Sequence, residues 1–148
     1  MALESDQTQE KVVLTVTGSL AANVTDKTLK FSIRDLEKLG TISFSTTTPW
    51  FDGQVLFEGG SFKKLFEYIK PQGNLLEVIA LNDYVITIPI DDLVNNDAIL
   101  AVKRNGQYMS IQDKGPLFIV YPYDSQMRLK NQIYYTRSVW QVYKFIIR

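Results

Sequence analysis

The stretch ILAVKRNGQYMSIQDKGPLFIVYP, residues 99–122, decides the fold class of this chain. Two apolar runs flank Asn105-Gly106, a dipeptide typical of a tight β-hairpin because both central residues of a type I′ turn need a positive φ. A second turn is predicted at residues 113–116, where glycine and proline fix the backbone before the apolar run 117–121. A hairpin followed by a return strand predicts the middle of a β-rich core.

The composition is that of an ordinary globular protein of 148 residues, with 45% hydrophobic and 22% charged residues. Sixteen basic residues balance sixteen acidic ones, so no overall field favours nucleic acid, and we expect no nucleic-acid partner. The sequence contains no apolar run of bilayer length, and we expect no membrane insertion. We predict that residues 1–10 are a polar tail, disordered or foreign to the natural chain, and that residues 11–148 form a single domain.

The chain contains no cysteine and no histidine. Ser-His and Cys-His triads, disulfides and thiolate or imidazole metal ligands are therefore excluded, and a metal site would need oxygen ligands. The aspartates at positions 91, 92 and 97 do not have the spacing of a calcium loop, and we interpret them as capping and turn residues.

Two helices are predicted from their capping signals. Ser32 with Asp35 three residues later is typical of a capping box and predicts a short helix over residues 33–39. Apolar residues at i, i+3, i+4 and i+7 predict a helix over residues 61–69, which Pro71 ends.

The remaining apolar segments predict strands. Residues 11–17 alternate, and residues 75–81 and 84–90 predict a hairpin. Residues 41–48 predict a strand that runs into a hydroxyl-rich loop at the threonines, followed by a turn at 49–53. Residues 138–147 predict a final strand buried on both faces. The polar residues 124–136 predict a long excursion or a short helix.

With these elements placed, the order of motifs resembles the small oxidoreductase molybdopterin-binding domains, whose fold is best known from sulfite oxidase. The resemblance covers nearly the whole chain, from residue 12 to residue 146. The matching residues are Phe31-Ser32, Asp35-Leu36, Phe57 to Phe62, Leu65, Ala80, Asn82 to Tyr84, Ile88-Pro89, Leu93, Leu100-Ala101, Asn105-Gly106, Gly115 to Leu117, Pro122 and Trp140. The resemblance implies an α+β fold with β-rich mixed sheets, a barrel-like core and a few short helices.

The family's cofactor contacts are altered in this chain. In the family a cysteine thiolate ligates the molybdenum of a pterin dithiolene, and by position its loop corresponds to residues 45–48, which contain only serine and threonine. These hydroxyls stay protonated near neutral pH and replace a thiolate poorly. Phe118 stands where the family tends to carry an arginine, and Val139 where a basic residue is common. We therefore expect that binding of the metallocofactor is lost or altered in this chain. No bound cofactor is expected, and molybdopterin is the alternative.

The resemblance and these departures favour a non-catalytic binding module that uses the former cofactor cleft for a small-molecule ligand or a protein partner. No catalytic or metal-ligating residue is assigned. The candidate cleft residues are Thr46, Thr47, Thr48, Trp50, Asn82, Asp83, Tyr84 and Arg137. Each also has a structural interpretation: the threonines as strand residues, Trp50 as packing, Asn82-Asp83 as a hairpin turn and Arg137 as a surface ion pair.

Two alternatives remain open at this point. One is a molybdopterin-dependent oxidoreductase with metal ligation by residues other than cysteine. Another is a partner-docking protein that uses an exposed patch of aromatic rings. Its candidate rings are Trp50, Phe51, Tyr121, Tyr123, Tyr134 and Tyr135.

The resemblance also favours the bacterial periplasm, or secretion from the cell, as the location of the protein, with a signal segment removed.

Overall fold

The computed structural model describes residues 10–20 and 28–148. Nearly all of the predicted tail, residues 1–9, lies outside the described residues, as do residues 21–27.

The described ranges contain ten strands and four short helices. The strands are β1 (Val12–Gly18), β2 (Thr28–Ser32), β3 (Ile42–Thr48), β4 (Phe51–Ser61), β5 (Leu75–Ala80), β6 (Val85–Pro89), β7 (Ile99–Arg104), β8 (Gln107–Tyr108), β9 (Phe118–Val120) and β10 (Val142–Ile147). The helices are α1 (Ile33–Lys38), α2 (Phe62–Ile69), α3 (Ile90–Asn95) and α4 (Gln132–Arg137). None of these helices is long and apolar enough to cross a membrane.

The strands form two sheets. The first sheet has the order β2-β1-β10-β5-β6, and the second has the order β3-β4-β7-β8, with β9 also paired to β7. Strands β1 and β10 are parallel, whereas the other pairs are antiparallel, so the first sheet is mixed. The predicted α+β fold with mixed, strand-rich sheets is confirmed, and both sheets are open within the described part of the chain.

The predicted hairpins are present. Asn105 and Gly106 have φ values of 52° and 85° and connect β7 to β8, as a type I′ turn requires. Strand β9 returns to pair with β7, so the stretch 99–122 supplies three strands of the second sheet. Asp83, with a φ of 68°, lies in the turn between β5 and β6.

Both predicted helices begin at their capping serines. The Ser32 hydroxyl accepts a hydrogen bond from Asp35 N, and the Asp35 carboxylate accepts one from Ser32 N, each at 3.0 Å. Ser61 caps α2 by accepting from Lys64 N at 3.1 Å. The helix ends where Lys70 adopts a left-handed conformation before the proline.

Two predicted boundaries are wrong. Thr46 to Thr48 belong to β3, where they pair with β4, and the turn that follows contains only Pro49 and Trp50. The extended preference of β-branched threonine continues the strand to the proline. The last strand begins at Val142, after Gln141 with a φ of 58°. The predicted burial of this strand on both faces is also wrong: Val142, Phe145 and Ile147 are buried, whereas Tyr143 is exposed and residues 144 and 146 are only partly buried.

One cluster of buried side chains joins the two sheets. It includes Leu14 and Phe145 from the first sheet and Phe57 and Phe118 from the second, all with no exposed area. Apolar burial of this kind contributes most of the driving force for folding. The cluster ends at the β3–β4 turn, where the candidate site lies.

Candidate functional site

A cavity of about 390 Å³ lies where the β3–β4 turn, the β5–β6 turn, α4 and the segment before β10 meet. The lining residues are Pro49, Trp50, Ala80, Asn82, Tyr84, Gln132, Tyr135, Thr136, Ser138, Val139 and Trp140. A volume in this range is typical of a small-molecule site.

Trp50 is the centre of the aromatic cluster beside this cavity. Its ring centroid lies 5.6–6.1 Å from those of four other rings. The four rings belong to Phe118, Tyr123, Tyr135 and Trp140. The three contacts with Tyr123, Tyr135 and Trp140 are edge-to-face, the geometry favoured by the aromatic quadrupole. The predicted packing role of Trp50 is therefore confirmed, although part of its surface also lines the cavity.

Lys114 contacts this aromatic group from outside the lining. The Lys114 ammonium lies 3.8 Å from the ring centroid of Trp140, at the distance of a strong cation–π contact. Among the described residues, the lining itself contains no aspartate, glutamate, lysine or arginine. The cavity surface is therefore aromatic and formally neutral.

Polar groups in the lining are only partly used by the protein. Asn82 Oδ1 accepts a hydrogen bond from Tyr84 N at 3.1 Å, and Gln132 Nε2 donates to Thr136 Oγ1 at 3.2 Å. Within the described residues no further hydrogen bond of the Asn82 and Gln132 side chains is present. Ser138, in contrast, is buried and bonded both to the Tyr123 hydroxyl and to a backbone carbonyl.

The three threonines of β3 use their hydroxyls within the protein. Thr46 Oγ1 accepts from Asp124 N at 3.1 Å, and Thr47 donates to the Asp124 carboxylate through its hydroxyl at 2.6 Å and its backbone N–H at 2.8 Å. These bonds from Thr47 lower the pKa of Asp124. Thr48 Oγ1 accepts from the N–H groups of Trp50 and residue 51, which fixes the turn.

Arg137, the last residue of α4, forms an ion pair with α3. Its guanidinium lies 3.1 Å from Asp92 Oδ1, and Tyr121 donates to the other oxygen of the same carboxylate at 2.7 Å. Burial raises the pKa of Tyr121, which keeps this hydroxyl protonated as a donor. The network connects α3 to α4 and holds one wall of the cavity in place.

The predicted cleft residues therefore fall into two groups. Trp50, Asn82 and Tyr84 lie together in the lining. The other five do not line this cavity: Thr46, Thr47, Thr48, Asp83 and Arg137.

Sequence reasoning missed the α4 wall of the cavity, which is formed by Gln132, Tyr135 and Thr136. In the sequence, the indications of this wall were the Tyr134-Tyr135 pair and the final tryptophan.

The six rings considered for partner docking do not form an exposed patch. Tyr121 and Tyr123 are fully buried, and the other four are half-buried against the core. The other four are Trp50, Phe51, Tyr134 and Tyr135. Docking through this set of rings is therefore not supported.

The fold is that of a sulfite-oxidase-like domain. Among solved structures, the chain is similar to the sulfane dehydrogenase SoxCD from Paracoccus pantotrophus, with a TM-score of 0.67 and 17% sequence identity. The similarity covers 94% of this chain but only 38% of that one. At this identity the likeness shows the fold alone. No family model and no curated protein matches the chain.

The residues around the cavity do not fit the molybdenum pterin that the fold family implies. The lining offers no thiol or imidazole, and it has no cation to balance an anionic cofactor. The hydroxyls of Thr46 to Thr48, where the resemblance predicts the cysteine loop, are already bonded to Asp124 or to the turn. Nowhere in the described ranges do three acidic side chains come together as a metal site.

Proposed function

We propose that this protein is a non-catalytic binding module that holds a small molecule in the cavity beside Trp50. The observation that carries the proposal is the cavity of about 390 Å³, whose lining combines four aromatic rings with two amide side chains, each of which uses one polar atom within the protein. Pockets of this composition, apolar with a few polar groups for orientation, are the usual form of small-ligand sites.

The chemistry of the lining favours binding over catalysis. General acid–base catalysis needs a titratable group within hydrogen-bond reach of the substrate, and nucleophilic catalysis needs an activated hydroxyl or thiol. The titratable groups of the lining are the phenols of Tyr84 and Tyr135, with no carboxylate or ammonium beside them in the lining. The Ser138 hydroxyl is buried and bonded to the protein.

A small molecule is favoured over a protein partner as the occupant. The cavity is a concave cleft between four segments of the chain, whereas protein interfaces are broad and bury about 800 Å² per partner. We also propose that no metallocofactor is bound, which the engaged threonines and the neutral lining support.

The test is native purification of the protein from its source, followed by mass spectrometry of released small molecules and by molybdenum analysis. We expect a co-purified organic molecule in near-stoichiometric amount and molybdenum far below one atom per chain. Stoichiometric molybdenum, with or without a fluorescent pterin after oxidation, would contradict the proposal and support the oxidoreductase alternative.

A matched pair of variants on α4 locates the site. Thr136 lines the cavity, whereas Ile133 on the same helix does not and is 56% exposed. We expect Thr136→Phe to fill the cavity and to reduce the co-purified molecule at least tenfold, and Ile133→Phe to leave it unchanged. If both variants retained the same amount of the co-purified molecule, the ligand would be bound outside this cavity.

We further propose, on the family resemblance, that the protein acts in the periplasm or is secreted. Fractionation of source cells and immunodetection would test this, with recovery in the spheroplast cytosol as the contrary result.

A further inference from the structure

We infer that the cavity selects a neutral, planar heteroaromatic molecule that carries a carboxamide or an equivalent ring amide. This inference rests on the proposed function, because it names the ligand class of the same site. It is argued from the charge of the lining, the position of Lys114, the arrangement of the rings and the unused atoms of two amide side chains.

Anionic ligands are disfavoured by the lining. Among the described residues that line the cavity, none carries a positive charge. An anion that leaves water for such a surface loses its hydration, which is costly, and the Lys114 ammonium could pair with it directly only by leaving the face of the Trp140 ring.

Cationic ligands are disfavoured for a different reason. An aromatic cavity of this kind attracts ammonium groups through the ring quadrupoles. Here Lys114 already holds its ammonium 3.8 Å from the centre of the Trp140 ring. A second cation against the same ring would be repelled by the first, and the lining offers no carboxylate to offset that repulsion.

The rings favour a flat ligand. The ring planes of Trp140 and Tyr135 lie at 78° and 79° to that of Trp50, so the aromatic walls meet the central indole nearly at right angles. A planar π-system can contact one ring face-on while meeting the next ring edge-on, and both contacts are favourable. A puckered aliphatic ring of the same size matches neither geometry.

The amide groups specify the polar part of the ligand. Asn82 uses its oxygen to bind Tyr84 N, which leaves its N–H groups as donors. Gln132 uses its nitrogen to bind Thr136, which leaves its oxygen as an acceptor. A primary or ring amide presents a carbonyl and an N–H on one flat group, which are the partners that the free Asn82 N–H groups and the free Gln132 oxygen require.

The experiment is a titration of the ¹⁵N-labelled protein followed by NMR. The chain has two tryptophans, and both line the cavity, so their two indole N–H signals report directly on the site. The probes are four compounds of similar size: nicotinamide, nicotinate, 1-methylnicotinamide and cyclohexanecarboxamide. Relative to nicotinamide, nicotinate carries a negative charge, 1-methylnicotinamide carries a positive charge, and cyclohexanecarboxamide lacks the planar ring.

We expect saturable shifts of both indole signals with nicotinamide and binding at least fivefold weaker for each of the other three probes. Tighter or equal binding of the charged or the aliphatic probe would overturn this ligand class while leaving a small-molecule site in place. Absence of shifts with all four would also overturn it, and the co-purification experiment then decides the proposed function separately.

Two variants of the β5–β6 turn test the role of Asn82. Asn82→Asp keeps the oxygen that binds Tyr84 N and removes the free N–H donor, so nicotinamide should bind about tenfold more weakly. Asp83→Asn, at the next position of the turn and outside the lining, should leave the affinity unchanged. If Asn82→Asp bound nicotinamide as tightly as the wild type, the Asn82 amide would not contribute to ligand recognition.

Discussion

At the scale of single residues, the contacts of Asp124 show the role of the threonine hydroxyls at the end of β3. Its carboxylate binds the N–H and hydroxyl of Thr47, and its own N–H binds Thr46, 78 positions earlier in the chain. Lys130 lies 3.2 Å from the same carboxylate. These contacts fix the end of β3, and with it the turn that places Trp50. The hydroxyls therefore serve the fold that surrounds the cavity.

Asp124→Asn should destabilise the protein in a pH-dependent way. The folded-state pKa of Asp124 is lowered below 3.8, chiefly by Thr47, so the ionised form stabilises the fold above that pH. Because the carboxylate is solvent-exposed, we expect a loss of about 0.5–1 kcal/mol in the free energy of unfolding at pH 7. The difference from wild type should shrink as the pH falls below 3.8.

Urea unfolding of both proteins between pH 2.5 and pH 7 measures this difference. A difference that stayed constant down to pH 2.5 would mean that ionised Asp124 makes no net contribution. Asp52→Asn is a suitable control, because Asp52 is exposed and has no ion pair or side-chain hydrogen bond within the described residues.

At the scale of elements, the junction of β4 with β7 depends on one glycine. A Cβ atom at Gly59 would lie far inside van der Waals distance of the Leu100 carbonyl oxygen, which belongs to the backbone of β7. The register between the two strands also shifts between Glu58 and Gly59. The close approach of the two backbones is therefore possible only without a side chain.

We expect Gly59→Ala to lower the free energy of unfolding by about 3 kcal/mol or more, since the clash is with backbone that cannot rotate away. Gly60→Ala is the matched control, because its Cβ would lie 3.4 Å from the Gly40 carbonyl oxygen. It should change stability by less than about 1 kcal/mol. Thermal and urea denaturation of the two variants compares them directly, and equal stabilities would contradict the assignment.

The elements that sequence predicts well are those with local signals. The Asn105-Gly106 turn, the Ser32 capping box and the α2 periodicity depend on neighbouring residues and are confirmed. The parallel pairing of β1 with β10 joins residues more than 120 positions apart, and no local pattern specifies it. The α4 wall of the cavity was not predicted, because the mostly polar sequence of this helix does not indicate which other elements it packs against.

At the scale of the whole molecule, the two sheets share one buried cluster. We therefore expect the described part of the chain to unfold as one cooperative unit, which also tests the prediction of a single domain over residues 11–148. Far-UV circular dichroism reports on all strands and helices, whereas tryptophan fluorescence reports on the cavity region. The urea midpoints from the two signals should coincide, and separate midpoints would mean that the sheets unfold independently.

Strand β10 is last among the strands in chain order, yet it lies at the centre of the first sheet, between β1 and β5. Before it is added, the remaining strands form two separate hairpins, and an isolated hairpin is marginal in water. On the ribosome, the nascent chain must therefore wait for residues 142–147 to leave the exit tunnel before this sheet can close. Until then the facing edges of β1 and β5 stay open, and unpaired strand edges of this kind are prone to pairing with other chains.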